Sequence, residues 1–503
     1  MKNIYLLLLL GLLLFPLAAQ TNGNLQYMGD QAILQVWGSH FERGHAQGYL
    51  LGNAMLDVFD QYYYLMVANS SPVYYNFLWN YFMEHFDSDP RMQSESQGII
   101  QGLEDAGIST FHNGLQRNIG AEDILLVNSI VDMLQVRNAT SESALEIGCA
   151  SLASWGVSTQ QDSLLAGASV ITRFMDWSQN SALIANPVLV VHHPSESDEQ
   201  KWMSFTYPGM IGALSAINAA GTWASLNMGN VHTVSSDQGL DPVLFALRRG
   251  IERLDYDSDG TSGALDLFAS IGEGLHLTGT IIHTLSESPG GTLTFAVETN
   301  NSGTVARYHD QNGDLPGNHL AATNHFRLLA NPICCTRYAD IQDSLYTNPH
   351  MSAKRQWRVL SGAAGQQTNL TAIQYTPSTG LILWSSASTA LPAYQAPAIT
   401  LSASDLFNYS VSSQDEYLPV VPHSVSLYPN PLRQNAALNL KSPLPFTALE
   451  LFNLRGQKVF SDRSPVFKTE ARLHLPLLPP GLYLLQLSGT AGKAAHKKLL
   501  ILN

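Results

Sequence analysis

The sequence between residues 148 and 177 constrains the fold more than any other stretch of the chain. Apolar residues alternate after Cys149, a polar turn follows at residues 160–163, and a second apolar run contains Arg173 and Asp176. Alternation on both sides of a polar turn is typical of a β-hairpin. We therefore predict a hairpin with Cys149 at the start of its first strand. Arg173 and Asp176 then lie near the end of its second strand, where both can be aimed back at the cysteine.

The cysteine content sets the thiol of Cys149 apart. The 503 residues contain 3 Cys, and the other two are the adjacent Cys334 and Cys335. In an oxidising compartment an odd thiol is either reactive or paired with a partner. The adjacent pair would close a strained vicinal disulfide or remain as two buried thiols, and we favour the thiols. Cys149 is then the thiol left over, as a nucleophile would be.

The start of the chain and its charge bear on localisation and partners. Residues 1–19 combine Lys2, an apolar run and small residues up to Ala19, the pattern of a secretory signal peptide. The apolar run is too short for a bilayer span and no stop-transfer pattern follows, so we expect no membrane span after signal removal. The net charge of −14 argues against nucleic acid as a partner.

Composition divides the remaining chain into four parts. Residues 24–148 are mainly helical after one initial strand, and residues 149–402 alternate strands with loops. Residues 403–423 are rich in Ser, Asp, Gln and Pro, a linker composition. Residues 424–503 show strands separated by glycine turns, typical of a small β-sandwich. We predict an α+β protein with an all-β sandwich domain at its C terminus.

An acidic loop interrupts the second of these parts. Aspartates occupy positions one, three, five and twelve of a segment with glycine at position six, namely Asp255, Asp257, Asp259, Asp266 and Gly260. This spacing matches the Ca²⁺ loop of an EF-hand, except that Asp replaces the usual Glu at position twelve. The alternative is a solvated acidic turn that caps the next helix. The metal would be structural, with no catalytic role.

The stretch around Cys149 resembles the start of the mature catalytic chain in N-terminal-nucleophile (Ntn) amidohydrolases. That group includes penicillin V acylase, bile salt hydrolase, acid ceramidase and the isopenicillin N acyltransferases. In the family pattern a Cys becomes a chain N terminus and is followed by a β-hairpin and Arg-Asn-Leu-Asp-Trp-like residues, here Arg173 to Trp177. The sequence departs from the pattern at Ala150, where Thr is usual, and at Thr172, where Gly is usual. The gap between Cys149 and the arginine is also longer.

Four further segments resemble family motifs in the family's order. Residues 42–44, Glu-Arg-Gly, resemble the N-terminal motif of the acyltransferase branch, and the alternative is a helix start with Glu42 in its first turn. Asn227 lies where the family has an oxyanion-hole Asn, and Asn324 lies in a Thr-Asn-His-Phe motif whose Asn touches the substrate carbonyl and the nucleophile's amine. Both would otherwise be polar loop residues. Arg355 matches the arginine of a Ser-x-x-Arg helix start, and would otherwise be a surface arginine.

The resemblance implies a four-layer αββα sandwich over residues 149–402, with residues 24–148 as a pro-segment that stays bound after self-cleavage. Cys149 would attack the Gly148 carbonyl, and hydrolysis of the thioester would free the α-amine as a base. Asp176 would orient that amine and Arg173 would favour the thiolate. No metal or other cofactor is required.

The resemblance also implies that Asn227 and Asn324 donate to the oxyanion. It implies that Arg355 acts electrostatically on the Asp176 cluster or binds a substrate carboxylate. The substrate would be a small N-acyl amide, with acyl transfer to an amine as a variant of the reaction. The aromatic residues Trp155, Phe174 and Trp177 would line an acyl pocket or belong to the core. The alternatives are a phospholipase B-like or peptidase activity on the same fold, or a non-catalytic cell-surface binding protein.

Residues 424–503 resemble, motif by motif, the C-terminal sorting domain of the type IX secretion system of Bacteroidota. The matching features are the opening Tyr428 to Pro431, the turn at residues 455–457, and the closing run from Pro479 to Leu487. The alternative is a carbohydrate-binding module. The resemblance implies transit of the periplasm, the type IX machinery as a partner, and surface attachment or release with the tail removed.

Overall fold

The computed structural model describes residues 21–140, 148–229, 235–277, 279–309, 311, 314–329, 335–363, 368–409, 426–434, 436–453, 457–489 and 492–502. The predicted signal peptide, most of the predicted linker and Cys334 lie outside these residues. The chain divides into two compact units, residues 1–410 and 411–503. The first unit mixes helices with sheets and the second is all-β, as the α+β prediction expects.

A nine-stranded sheet forms one half of the first unit. Its strands, labelled by chain order and given in spatial order, are β1 (Gly23–Met28), β2 (Gln31–Gly38), β7 (Val188–Pro194), β8 (Trp202–Thr206), β9 (Ser215–Asn218), β10 (Trp223–Met228), β11 (Thr280–Ser288), β12 (Gly291–Asn300) and β13 (Gly303–Arg307). Strands β2 and β7 pair in parallel, and the other neighbours are antiparallel. A separate two-stranded ribbon joins β3 (Phe111–His112) to β4 (Arg117–Asn118).

A six-stranded antiparallel sheet carries the predicted hairpin. Its spatial order is β14 (His319–Ala322), β5 (Gly148–Ser154), β6 (Val170–Asp176), β15 (Asn369–Thr376), β16 (Leu381–Ser386) and β17 (Ile399–Ser402). Strands β5 and β6 are the two arms of the hairpin, with Gly148 opposite Asp176. Every residue of both strands is buried, so both faces of this sheet are covered.

The two sheets share one apolar core. A single buried cluster joins side chains from both, among them Ile33, Leu189 and Trp223 from the nine-stranded sheet, and Ile171, Ile373 and Trp384 from the six-stranded sheet. Alternate side chains of a strand point to opposite faces. Trp223 of β10 accordingly enters this cluster, whereas Leu226 packs in the other large cluster, which the helices line.

Eleven α-helices lie within the described residues. They are α1 (His40–Val58), α2 (Pro72–His85), α3 (Pro90–Asp105), α4 (Ala121–Asn128), α5 (Ile130–Thr140), α6 (Ser181–Ala185), α7 (Val243–Glu252), α8 (Ala264–Glu273), α9 (Thr336–Thr347), α10 (Ala353–Ala363) and α11 (Ala403–Phe407), and α1 continues as a π-helical segment, Phe59–Val67. Helices α7 and α8 pack on strands of the nine-stranded sheet, and α10 packs on β5 and β6. Among the described residues, none of the helices combines the length and apolarity needed to cross a bilayer.

The first helices begin where their capping residues predict. Ser39 and Glu42 form a capping box at the start of α1, so residues 42–44 begin a helix. Ser71 and Asp89 accept hydrogen bonds from the first turns of α2 and α3, and each is followed by proline at the first helical position.

Helices α1 and α3 pack backbone against backbone. A Cβ at Gly44 or Gly48 of α1 would overlap the carbonyl oxygen of Glu95 or Ile99 in α3, and Gly98 and Gly102 of α3 face α1 in the same way. Glycines four residues apart lie on one helix face. These positions therefore let the two helices approach more closely than side chains would allow.

The predicted boundaries shift at two places. Residues 24–148 start with two strands rather than one, because β1 pairs with β2 at the sheet edge while exposing its last three residues, which weakens the sequence alternation. The predicted linker starts at residue 403, whereas residues 403–407 form α11. Ala403 and Phe407 of this helix are buried in the first unit, so the chain continues beyond residue 403 as folded structure.

The C-terminal unit is a six-stranded sheet, and its predicted sandwich arrangement stays a prediction. Its spatial order is β18 (Ser426–Tyr428), β20 (Ala437–Asn453), β22 (Gly481–Gly489), β23 (Gly492–Leu502) and β19 (Leu432–Arg433), with β21 (Lys458–His474) paired to β20. The long β20 bonds β18 through residues 439–441 and β22 through residues 448–453. Strand β20 thus connects β18 to β22 by backbone hydrogen bonds.

Candidate active site

Cys149 is buried at the second position of β5, and both its backbone and its thiol have polar partners. Its backbone N–H donates to Oδ1 of Asn324, 2.8 Å away. Its Sγ accepts a hydrogen bond from Nη2 of Arg173 at 3.6 Å. The thiol is 1% exposed, so these groups act on it without competition from bulk water. The structure therefore brings Cys149, Arg173 and Asn324 together.

The register of the hairpin explains why Arg173 reaches Cys149. Cys149 lies opposite Met175 and Ser151 lies opposite Arg173. Directly opposite residues project to the same face of an antiparallel pair, so Arg173 is the diagonal neighbour of Cys149. The guanidinium also donates to Oγ of Ser215 at 2.8 Å and to the carbonyl of Leu226 at 2.7 Å. Both acceptors belong to the nine-stranded sheet, which fixes the arginine between the two sheets.

Asp176 is joined to the site by Arg337, a residue that the sequence did not single out. Nη2 of Arg337 lies 3.4 Å from Oδ2 of Asp176, and its Nη1 donates to Oδ1 of Asn324 at 3.2 Å. The amide of Asn369 donates to Oδ1 of Asp176 at 3.1 Å. A Cβ added to Gly148 would overlap the Arg337 guanidinium. Arg337 therefore lies over the residue that precedes Cys149 and links the aspartate to the asparagine.

Burial governs the protonation state of the nucleophile. Loss of solvent raises the pKa of the Cys149 thiol above its usual range. The guanidinium of Arg173 opposes this increase, Asp176 adds to it, and Arg337 opposes it from the other side. The thiol is thus protonated at neutral pH, and its reaction requires a group that takes its proton.

The two predicted oxyanion asparagines differ in their free hydrogen-bonding capacity. Nδ2 of Asn227 donates to the carbonyl of Ala322 at 3.0 Å and to Oγ of Ser151 at 3.3 Å. Nδ2 of Asn324 donates to the carbonyl of Met228 at 2.8 Å. An amide nitrogen carries two hydrogens. Within the described part of the chain, Asn324 therefore keeps one amide hydrogen without an acceptor, whereas both amide hydrogens of Asn227 are engaged.

Among the described residues, the contacts of Arg355 are with groups other than Asp176, and its predicted role in binding a substrate carboxylate stays a prediction. Its Nη2 donates to the carbonyl of Ser344 at 2.9 Å and its Nη1 approaches Sδ of Met351 at 3.6 Å. These contacts connect the start of α10 to the end of α9. Arg337, at the start of α9, occupies the position beside Asp176 instead.

The Glu-Arg-Gly motif belongs to a buried charge cluster. Arg43 is fully buried and donates to Oε2 of Glu199 at 3.0 Å. His40 lies between Glu95, 2.9 Å from its Nδ1, and Glu199, 2.8 Å from its Nε2. Arg248 contacts Glu95 at 2.7 Å. These opposite charges pair with one another, and His40 connects α1 to Glu95 of α3 and to Arg248 of α7.

Among the predicted acyl-pocket aromatics, Trp177 lines a cavity. The cavity has a volume of about 20 Å³ and is lined by Tyr62, Tyr63, Ile130, Met175, Trp177, Leu183, Tyr207, Met210 and Leu214. Met175 is the residue opposite Cys149, so this apolar space lies beside the nucleophile. Phe174 packs instead against Trp357, with ring centroids 5.1 Å apart, and Trp155 packs against His309 at 5.0 Å.

The acidic loop gathers three of its four predicted Ca²⁺ ligands. Carboxylate oxygens of Asp255, Asp257 and Asp259 lie within 4.8 Å of one another. Asp266 is not in this group: its Oδ2 accepts the N–H of Gly263 at 2.8 Å as a cap of α8, and its Oδ1 accepts the N–H of Asp257 at 3.2 Å. The oxygen donors suit Ca²⁺, but the twelfth position serves the helix. A structural Ca²⁺ here stays a prediction.

The structure describes one of the two adjacent cysteines. Cys335 is a partly buried free thiol at the start of α9. Burial raises its pKa, but hydrogen bonds with His325 and Thr323 outweigh burial and lower the pKa to about 6. Cys334 lies outside the described residues.

Two solved structures of amide hydrolases and one curated protein resemble parts of this chain. Protein dcd1B of Dictyostelium discoideum is 23% identical over 254 residues, 48% of this chain and 47% of that protein, so the chain spans about half the length of this curated relative. The Caenorhabditis elegans ortholog of N-acylethanolamine-hydrolyzing acid amidase covers 46% of this chain and 93% of its own, at 14% identity and a TM-score of 0.34. A mutant conjugated bile acid hydrolase from Clostridium perfringens covers 50% and 93%, at 8% identity and a TM-score of 0.29.

The C-terminal unit has a family match. Residues 426–502 match the family described as "Secretion system C-terminal sorting domain". This match confirms the predicted sorting domain over nearly the same residues. The protein therefore carries a type IX secretion signal at its C terminus and is exported to the cell surface or beyond it.

Proposed function

We propose that the exported protein is a self-processing cysteine amidohydrolase. It cleaves its own chain before Cys149 and then hydrolyses N-acyl amides, or transfers their acyl group to an amine, through a thioester on Cys149. The observation that carries this proposal is the pair of contacts on one residue. The backbone nitrogen of Cys149 is held by Asn324 at 2.8 Å, and its Sγ is held by Arg173 at 3.6 Å.

Self-cleavage uses the thiol against its own N-terminal peptide bond. Sγ of Cys149 adds to the carbonyl carbon of Gly148, the C–N bond breaks, and the proton of the thiol ends on the departing nitrogen. Water then hydrolyses the thioester and leaves a carboxylate on Gly148 and a free thiol on Cys149. Asn324 accepts the N–H of the bond that breaks, and Arg337 places positive charge beside it. This geometry supports the role of both residues.

After cleavage, the new α-amine takes the proton from the thiol. An α-amine has a reference pKa of about 8, which suits proton exchange near neutral pH. Burial keeps the Cys149 thiol protonated, and the α-amine provides the base that removes this proton. Asn324 then holds the amine through Oδ1 and offers its remaining amide hydrogen to the oxyanion. Losing such a donor typically costs about 3 kcal/mol of transition-state stabilisation.

The N-terminal part of the chain would remain bound after the cut. Strands β1 and β2 are members of the nine-stranded sheet, and β2 pairs with β7 over its length. The side chain of Asn128 accepts the N–H groups of Ile211 and Gly212 at 2.6 and 2.9 Å. These contacts, together with helices that pack on both sheets, support the four-layer αββα arrangement with a bound small subunit.

The apolar cavity beside Met175 favours substrates with an apolar acyl group. Its volume of about 20 Å³ is close to that of one water molecule, so an acyl chain requires movement of its lining. Tyr62 and Tyr63 of the lining belong to the π-helical segment, a geometry that often occurs at functional sites. We propose that this segment moves to enlarge the cavity when an acyl group binds.

N-terminal sequencing of the purified protein tests the proposal. The wild type should give two chains, one of which begins at Cys149, and Cys149→Ala should stay intact. The control is Ser302→Ala, a change of similar size at an exposed position, which should be cut like the wild type. An intact wild-type chain would refute the mechanism and favour a binding protein. Once cleavage is shown, a panel of amides, esters and peptides with apolar or charged acyl groups separates the amidase from a phospholipase B-like enzyme or a peptidase.

A further inference from the structure

A buried ion pair on the nine-stranded sheet holds the segment that carries Asn324 from both ends. Glu298 of β12 and Arg307 of β13 are almost fully buried, and Nε of Arg307 donates to Oε1 of Glu298 at 2.8 Å. Among the residues that the structure describes, the hydrogen bonds of these two side chains go to groups other than Cys149. Their contacts lead instead to residues 321–329, which include the Thr-Asn-His-Phe motif.

Glu298 binds the far end of that segment. Its Oε2 accepts backbone N–H groups from three successive residues, Arg327 at 3.0 Å, Leu328 at 2.8 Å and Leu329 at 2.9 Å. Oε1 also accepts the N–H of Arg327 at 3.0 Å. Hydrogen bonds to a carboxylate are shorter and stronger than neutral ones. One side chain thus orders the turn that begins directly after Phe326.

Arg307 binds the near end of the segment. Its Nη2 donates to the carbonyl of Ala321 at 2.9 Å, and Ala321 is the penultimate residue of strand β14, shortly before Thr323. Phe326 is buried against Ile281 and Ala296 of the same sheet, which prevents the middle of the segment from lifting away. The distance between the two held ends is therefore set by the ion pair.

We propose that Glu298 and Arg307 form a clamp that positions Asn324 for reaction at Cys149. The proposal rests on the function proposed above, because it assigns these residues to the geometry of that site. Asn324 must keep Oδ1 at 2.8 Å from the nitrogen of Cys149, and its Nδ2 also bonds the carbonyl of Met228. A shift of about 1 Å in such a group can lower a reaction rate about a hundredfold. The clamp acts through Asn324 and is a positioning device.

The test compares Glu298→Gln, Glu298→Asp and Arg307→Lys with the wild type. Gln has nearly the same shape but no charge, so one of its ends must present hydrogens to existing donors. Lys keeps the charge of Arg307 but cannot reach Glu298 and Ala321 together. The matched control is Glu104→Gln, a change of the same type at an exposed position on α3.

Three measurements are made on each full-length protein: hydrogen–deuterium exchange of residues 321–329, the rate of Cys149 alkylation by iodoacetamide, and the half-time of cleavage before Cys149. We expect Glu298→Gln and Arg307→Lys to speed exchange of this segment and slow cleavage, each about tenfold, with alkylation of Cys149 also altered. Glu298→Asp should restore part of the cleavage rate, and Glu104→Gln should match the wild type in all three measurements.

Unchanged exchange in both clamp variants would overturn the proposal, and so would faster exchange with wild-type cleavage and alkylation. If the wild type is never cleaved, the proposed function fails by itself. The clamp is then judged by exchange and alkylation, which need no turnover: altered values support it and wild-type values refute it. If Glu298→Gln does not fold, Arg307→Lys provides the same comparison.

Discussion

Arg337 contacts Asp176 and Asn324, whereas Arg355, one helix further along the chain, donates to the carbonyl of Ser344. Both arginines lie near the starts of consecutive helices, α9 and α10. Their local sequences do not show that Arg337 contacts Asp176 whereas Arg355 connects two helices. The difference arises because the start of α9 lies near the end of the hairpin that carries Gly148 and Asp176.

A pair of alanine variants tests this assignment. Arg337→Ala removes a cation that lowers the pKa of the Cys149 thiol, so the pH dependence of Cys149 alkylation should move to higher pH. Self-cleavage should slow by about tenfold or more, as expected when a charge-assisted contact is lost. Arg355→Ala should keep both properties. Equal losses in the two variants would contradict the assignment.

Gly148 is the residue at which adding one carbon atom, a Cβ, should disturb the site. A Cβ at this position would overlap the guanidinium of Arg337, so Gly148→Ala should push Arg337 away from Asp176. We expect slower processing, measured as the half-time of the uncut chain on a denaturing gel. Gly272→Ala is the control, since a Cβ there meets open space. Wild-type processing in Gly148→Ala would show that Arg337 can yield.

At the scale of elements, the glycine-lined contact between α1 and α3 bears on stability. Gly44 and Gly48 place the backbone of α1 against the carbonyls of Glu95 and Ile99. The same contact aligns His40 and Arg43 with their buried carboxylates. Helix packing and the burial of these charges therefore depend on each other.

Gly48→Ala tests the close contact without changing a charge. Its Cβ would overlap the carbonyl oxygen of Ile99, and overpacking of this kind costs about 1–3 kcal/mol. We expect a lower melting temperature and a lower urea midpoint. The control is Gly362→Ala in α10, where a Cβ meets open space and helix propensity should give a gain of up to about 1 kcal/mol. A melting temperature equal to that of the wild type in Gly48→Ala would show that the helices can separate.

At the scale of the whole molecule, buried histidines set the response to acid. Burial lowers the pKa of His319 to about 4 and that of His283 to about 3, with the charge of Arg307 adding to the effect on His283. In the unfolded chain both would titrate near 6.5. Their contribution to stability is complete above that pH and decreases as the pH falls toward about 4, because only the unfolded state takes up the protons.

We expect stability to fall by about 1.4 kcal/mol per pH unit for each such histidine between pH 6.5 and about 4. The pKa of His40 is raised in the folded protein, so its contribution to the free energy of unfolding has the opposite pH dependence. It is present at low pH and is lost as the pH rises through the folded-state pKa. Urea unfolding at several pH values, in a Cys149→Ala background that keeps one chain, measures the slope. His319→Gln should flatten it, and His350→Gln, at an exposed position, should leave it unchanged. Equal slopes in all three would contradict the assignment.

The sequence alone determined the features that depend on local pattern. Alternation around a polar turn gives the hairpin of β5 and β6, and the period-2 pairing then places Arg173 diagonally from Cys149. Capping residues set the starts of α1, α2 and α3. The order of motifs in the last eighty residues identifies the sorting domain, whose match covers residues 426–502.

Only the tertiary structure decided the features that depend on contacts between distant segments. Arg337 reaches Asp176 from 161 positions away in the chain, and Glu298 holds the Asn324 segment through backbone N–H groups, which have no signature in side-chain sequence. Asn227 uses both donors on groups that the fold brings to it. Local patterns specify strands, turns and helix ends, because those depend on neighbours in sequence. Which charged side chain faces the nucleophile depends on how sheets and helices pack, and that is settled only when the core is complete.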